Sequence, residues 1–212
     1  MAMAFAGPLS RFFAGDGGGE PGEAARLRPG IERWRDDLRA SVAAKVAAEL
    51  HWDEGAPVAM CVDLGAAGWM ALKLLAFYAE RSDLEWPDTV PPLLELDADW
   101  RTAADAGFAK TLYGQLLACE LWLPGDFPVT LKAPRPDGAT AEIGSLVVLH
   151  DQLRWLNRRT FQADQAAVAA WRDWPAPAGG AFVPAAQRGY TGLWAAAEVA
   201  LRERVPLVVA PA

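Results

Sequence analysis

The chain has 212 residues, of which 52% are hydrophobic and 10% aromatic. That composition supports one sizeable core, leaves two full domains cramped and argues against disorder beyond the termini. The net charge of −7 counts against a nucleic-acid partner, because phosphate binding wants a basic face, and it leaves basic proteins and small molecules open as partners.

The opening MAMAFAGPLSRFFAG lacks a basic start and is cut short by Gly7 and Pro8, so no signal peptide is expected. No run of about 18 apolar residues predicts a transmembrane helix. The expectation is a cytoplasmic protein with no membrane partner. Residues 1–29 read as a flexible N-terminal segment, with GDGGGEPG, Gly15 to Gly22, as a spacer by composition. Residues 30–212 read as a single globular domain.

Within that domain, Ile31, Trp34, Leu38, Val42, Val46 and Leu50 recur every three or four residues and predict a helix from Ile31 to about Leu50, with Pro29 at its entry. VAMCVDL, Val58 to Leu64, predicts a short buried strand, and Gly68 to Glu80 a second helix. Prolines open a loop over Ser82 to Pro92. A long helix is expected from about Trp100 to Leu121, capped by Asp97 or Asp99. Pro128 to Pro134 and Ala139 to Gly144 flank Arg135-Pro136-Asp137-Gly138 and read as a hairpin. Helices follow from Ser145 to about Asn157 with Ser145 as N-cap, from Asp164 to Trp174, and from Ala185 to Arg204. Pro206 stops the last, and Leu207 to Ala210 predicts a final strand. The sum is an α+β, helix-rich single domain of about five or six helices and a small sheet that includes the hairpin near 128–144.

Cys61 and Cys119 sit in apolar runs and read as buried thiols of a reducing compartment, with a disulfide between them as the alternative. With His51 and His150 they make no set at metal-ligand spacing, so neither a metal nor another cofactor is expected. No G-x-S-x-G is present, and Ser82 and Ser145 fit loop and cap roles. His150 and Asp151 are neighbours, hence about 100° apart on a helix, and cannot face each other. Asp151 is placed to pair with Arg154. His150 borders the apolar stripe of Leu146, Leu149, Leu153 and Leu156, which Val148 and Trp155 widen. The pair reads as the polar side of a packing helix. The alanines of the last helix, Ala185, Ala186, Ala195, Ala196, Ala197 and Ala200, permit close helix contacts, within the chain or across a homodimer.

CVDLGAAGWMALKLL, Cys61 to Leu75, ends an apolar strand in an acid and opens a helix through a glycine turn. Over these residues it resembles the first motif of S-adenosylmethionine-dependent methyltransferases, with Asp63, Gly65 and Gly68 at the matching positions. The resemblance implies backbone amides approaching that cofactor. The alternative is a strand–turn–helix joint in which Gly65 turns the chain and Gly68 permits close packing.

Charge is the strongest functional signal. Between Glu80 and Asp105 stand eight acids against Arg81 and Arg101, a net of −6 in 26 residues out of −7 for the whole chain. If extended, Glu95, Asp97 and Asp99 share one face, where they would attract a basic partner or hold Mg²⁺ for a hydrolase. Trp86 and Trp100 lie among these acids. An acidic surface with tryptophan anchors suits a basic protein, since electrostatics steer the encounter and aromatic side chains hold it. The reading is a non-enzymatic intracellular protein of the inhibitor or immunity type, binding a basic partner through Asp83, Glu85, Trp86, Asp88, Glu95, Asp97, Asp99 and Trp100. The alternative is an enzyme, either methyltransferase-like at Asp63–Gly68 or Mg-dependent at Glu95, Asp97 and Asp99.

Overall fold

The computed structural model describes residues 1–15, 22–43, 46, 49–57, 59–81, 85–94, 98–108, 110–173 and 180–211. In chain order these form β1 (Ala2–Ala6), α1 (Leu9–Phe13), α2 (Glu23–Val42), β2 (Met60–Asp63), α3 (Ala66–Tyr78), α4 (Ala98–Asp105), α5 (Gly114–Ala118), β3 (Leu121–Leu123), β4 (Leu131–Pro134), β5 (Thr140–Ser145), α6 (Leu146–Arg159), α7 (Gln165–Ala170), α8 (Phe182–Glu203) and β6 (Leu207–Pro211). A 3₁₀ turn, Trp171–Asp173, extends α7. The fold is α+β, as the sequence predicts.

The strands make one mixed sheet in the order β2-β1-β6-β3-β5-β4. All neighbours are antiparallel except β3 and β5, which run parallel. Both faces are covered, and the period of two along each strand divides the core. Ala2, Ala4, Ala6, Trp122, Leu207 and Val209 point into one cluster with α3, α5, α6 and α8. Leu121, Leu123, Leu131, Ile143 and Val208 point into the other, with α1, α2 and the segment around Leu50 and Trp52.

On the first face α3 and α8 meet at Gly68 and Gly189. A Cβ built on Gly68 would lie 3.2 Å from the Gly189 amide nitrogen and 3.3 Å from the Ala185 carbonyl oxygen, so the two backbones touch with no side chain between them. The six alanines of α8 are buried within the chain, which is where their close contacts are made. The hairpin β4–β5 closes as expected: the Arg135 amide donates to the Ala139 carbonyl at 2.7 Å, with Gly138 at φ 84°. Ser145 caps α6 by accepting from the Val148 amide at 3.2 Å, and Asp164 caps α7 by accepting from the Ala167 amide at 2.8 Å.

Several expectations are corrected. Residues 2–6, placed in a flexible lead, form an inner strand bonded to β2 and β6 on its two sides. Alanine disfavours strands on propensity, but here Ala2, Ala4 and Ala6 let α8 approach the sheet closely. The spacer Gly15 to Gly22 lies largely outside the described residues. α2 begins at Glu23, with Pro29 inside it and exposed, and as a helix it ends at Val42, although Val46 and Leu50 still reach the core.

The long helix from Trp100 to Leu121 does not exist. Gly107 and Phe108 take positive φ, 65° and 51°, and the Phe108 amide caps the Ala103 carbonyl, ending α4. Phe108 then returns to pack 4.9 Å from the Trp100 ring. Leu121 to Leu123 joins the sheet instead, because its side chains alternate between the two cores. Cys61 is exposed on the edge strand β2, while Cys119 is buried, and no disulfide joins them. Trp155 does not widen the apolar stripe of α6; it is 45% exposed. No helix among the described residues is long and apolar enough to cross a membrane.

Candidate protein-binding surface

The segment from Glu85 to Leu94 is held against the start of α8 by backbone bonds. The Val90 amide donates to the Gly180 carbonyl at 2.9 Å, and the Phe182 amide donates to the Asp88 carbonyl at 3.0 Å. Thr89 and Ala181 form an isolated bridge between them. The Trp86 ring lies 6.4 Å from the Phe182 ring in an edge-to-face arrangement. Trp86 nevertheless stays 38% exposed, and the flanking carboxylates of Glu85 and Asp88 are exposed as well. An anchored backbone thus presents an aromatic ring between two acids.

The other residues of the acidic run behave differently. Asp99 is exposed in the first turn of α4, where its charge opposes the positive end of the helix dipole. It is helical there, so the extended acidic face does not reach it. Glu80 is engaged within the fold: its carboxylate accepts from the Leu112 amide at 2.9 Å and from the Thr111 hydroxyl, tying the end of α3 to the entry of α5. Trp100 is 5% exposed and packs 5.5 Å from the Phe77 ring, so it belongs to the core and cannot anchor a partner. Asp83, Glu95 and Asp97 lie outside the described residues. Glu85, Trp86 and Asp88 are therefore exposed on one anchored segment, whereas Trp100 lies in the core.

The glycine turn after β2 is occupied by its own neighbours. One Asp63 carboxylate oxygen accepts from the Gly65 amide at 2.8 Å, and the other faces Arg188 of α8 at 3.4 Å. Gly65 has φ 68°, a conformation that glycine adopts without strain. β2 is an edge strand antiparallel to β1, not a strand of a parallel sheet. Turning and close packing account for Asp63, Gly65 and Gly68. Among the described residues no group of three or more His, Cys, Asp or Glu side chains is placed to hold a metal ion.

Asp151 pairs with Arg154 at 3.3 Å, three residues on, as the helix spacing predicts. His150 stacks on Trp194 of α8 with ring centroids 4.5 Å apart and planes 28° apart. Burial pulls the His150 pKa below its ordinary value, against the raising influence of Asp151 and Glu198; Arg154 adds to the lowering. A buried carboxylate escaped the sequence reading. Glu54 is 1% exposed and accepts from the Leu9 amide at 3.1 Å, the Ser10 amide at 2.8 Å and the Trp52 indole. It sits in the irregular stretch HWDEGAP, where no periodicity marks a residue as buried, and it fastens α1 to the body. No family model, curated protein or solved structure matches this chain.

Proposed function

We propose that the protein is a non-enzymatic, intracellular binding protein of the inhibitor or immunity type that meets a basic partner through its acidic segment. The observation that carries this reading is Trp86, held 38% exposed between the exposed acids Glu85 and Asp88 on a backbone already fixed to α8. A fixed ring loses little freedom on binding, and buried tryptophans are among the side chains that dominate interface energetics. The surrounding acids, net −6 over residues 80–105, raise the encounter rate with a basic surface and disfavour acidic competitors. Trp100 is removed from the contact set; Asp83, Glu95 and Asp97 stay in it by sequence, with Asp99 beside them.

The test uses the purified full chain against the protein products of adjacent genes, at about 50 mM and about 300 mM NaCl. A basic product is expected to bind, with affinity that falls at the higher salt. Trp86→Ala is expected to weaken it roughly tenfold or more, and Glu85→Lys with Asp88→Lys to slow association, at unchanged melting temperature. Binding only to acidic products, no binding at all, or affinity indifferent to both sets of substitutions would overturn the reading.

A further inference from the structure

A cleft of about 280 Å³ opens between α6, α7 and α8, on residues the acidic surface does not use. Tyr190, Trp194 and Glu198 line it at successive turns of α8; Arg154 and Arg158 line it from α6, and Gln165 from the start of α7. Tyr190 is 1% exposed, so the aromatic surface that the cleft offers is that of the half-buried Trp194. Tyr190 and Trp194 lie nearly parallel, 14° apart with centroids at 6.0 Å, and the His150 ring stacks on Trp194. Phe161 packs edge-on against Tyr190 at 5.7 Å.

The walls are tied together by buried and half-buried bonds. The Tyr190 hydroxyl donates to the Leu153 carbonyl at 3.3 Å, and the Thr191 hydroxyl donates to the Val168 carbonyl at 2.8 Å. The Asn157 side chain donates to the Ala163 carbonyl at 2.8 Å and accepts from the Ala163 amide at 3.1 Å, fixing the turn between α6 and α7. The cleft is therefore formed before any ligand arrives.

Its charges select a ligand class. Arg154 is paired with Asp151, and Arg159, next along α6, donates to the Ala79 carbonyl. Arg158 forms no ion pair among the described residues, although Glu198 lines the same cleft. A guanidinium outside any ion pair among the described residues, beside an aromatic ring, suits a single carboxylate, which it can grip with two parallel hydrogen bonds. Glu198 opposes a polyanion such as a phosphate ester. We infer that this cleft binds a small aromatic monocarboxylate, its carboxylate on Arg158 and its ring against Trp194, with the buried Tyr190 behind it.

Calorimetric titration of the full chain with indole-3-acetate, 4-hydroxybenzoate and phenylacetate tests the inference, with indole and acetate as the ring-only and carboxylate-only controls. At least one aromatic carboxylate is expected to bind, each control at least about tenfold more weakly, and Arg158→Gln to weaken that carboxylate about tenfold or more. Arg158 is exposed, so the variant is expected to melt with the wild type. Trp194→Leu is expected to weaken the same carboxylate through loss of the ring contact; should that variant prove unstable, saturation-transfer NMR on the wild type reads the contact through the ligand ring protons. The inference is overturned if none of the three carboxylates binds at about 5 mM, near the weak limit of specific binding. It is equally overturned if a control binds as well as the carboxylates, or if Arg158→Gln binds as tightly as the wild type.

Discussion

Gly189→Ala adds one methyl group to α8 at its closest approach to α3. In isolation the change favours the helix by about 1 kcal/mol, because alanine is the better helix former. The structure reverses that sign. The new Cβ would strike the Gly68 carbonyl oxygen, and would lie 2.7 Å from the Gly68 carbonyl carbon and 3.2 Å from the Leu72 Cβ. The first of these neighbours is backbone inside a helix and cannot rotate away. To clear the Gly68 carbonyl oxygen the helices must separate by about 1 Å, and a gap of that size forfeits about half of the dispersion attraction along the seam. That seam carries Ala71, Leu72 and Leu75 against Ala185, Leu193 and Ala196, all fully buried. Overpacking of this kind typically costs about 1–3 kcal/mol and more where backbone is struck. After the propensity gain, a net loss near 2 kcal/mol is expected, or a melting temperature lower by about 4–8 °C for a domain of this size. Gly30→Ala is the control: Gly30 is exposed within α2 and nothing lies within 4 Å of its added Cβ, so the same substitution should stabilise by about 0.5–1 kcal/mol. Urea unfolding of the two variants beside the wild type reads both signs. A Gly189→Ala protein as stable as the wild type would refute the close approach of α3 and α8.

Trp100→Ala should cost about 3–5 kcal/mol in urea unfolding, since a buried indole leaves a cavity, whereas Trp86→Ala should stay within about 1 kcal/mol of the wild type; equal losses would contradict their placement. Burial pushes the Cys119 thiol from 9.0 up to about 12 and raises Tyr113 and Tyr190 as well. These groups stay neutral in the folded chain while the unfolded chain ionises, so their contribution is complete below pH 9 and is lost as pH rises toward 12; a urea midpoint unchanged between about pH 8.5 and pH 11 would contradict this. At neutral pH a thiol reagent should modify exposed Cys61 in the native chain and Cys119 only after unfolding. His150 is shifted the other way, so its contribution is present above its ordinary 6.5 and falls away as pH drops; His150→Ala should remove that acid-side loss, cost about 1 kcal/mol for the lost stacking on Trp194 and leave binding of a basic partner unchanged.

Where local chemistry decides structure, the sequence is legible. The hairpin around Pro136-Asp137-Gly138, the Ser145 cap, the Asp151–Arg154 pair and the helices at Gly68 and Ala185 all follow from residues within one or two turns of each other. The concentration of acid between Glu80 and Asp105 is likewise a property of composition alone. Tertiary contacts decided the rest. Ala2 to Ala6 carries no strand signal of its own and becomes a strand because β2 and β6 offer hydrogen bonds on both sides. Leu121 to Leu123 continues a helical pattern until two separate cores claim its alternating side chains. Trp86 and Trp100 are equivalent in sequence, yet one stands in solvent and the other in the core, because Gly107 ends α4 and folds Phe108 back onto Trp100 alone. The cleft at Arg158 joins side chains from three helices separated along the chain, and no local spacing announces it. Periodicity reports which residues share a face; which partner that face meets, and which polar groups are left for a ligand, depends on contacts made across the whole chain.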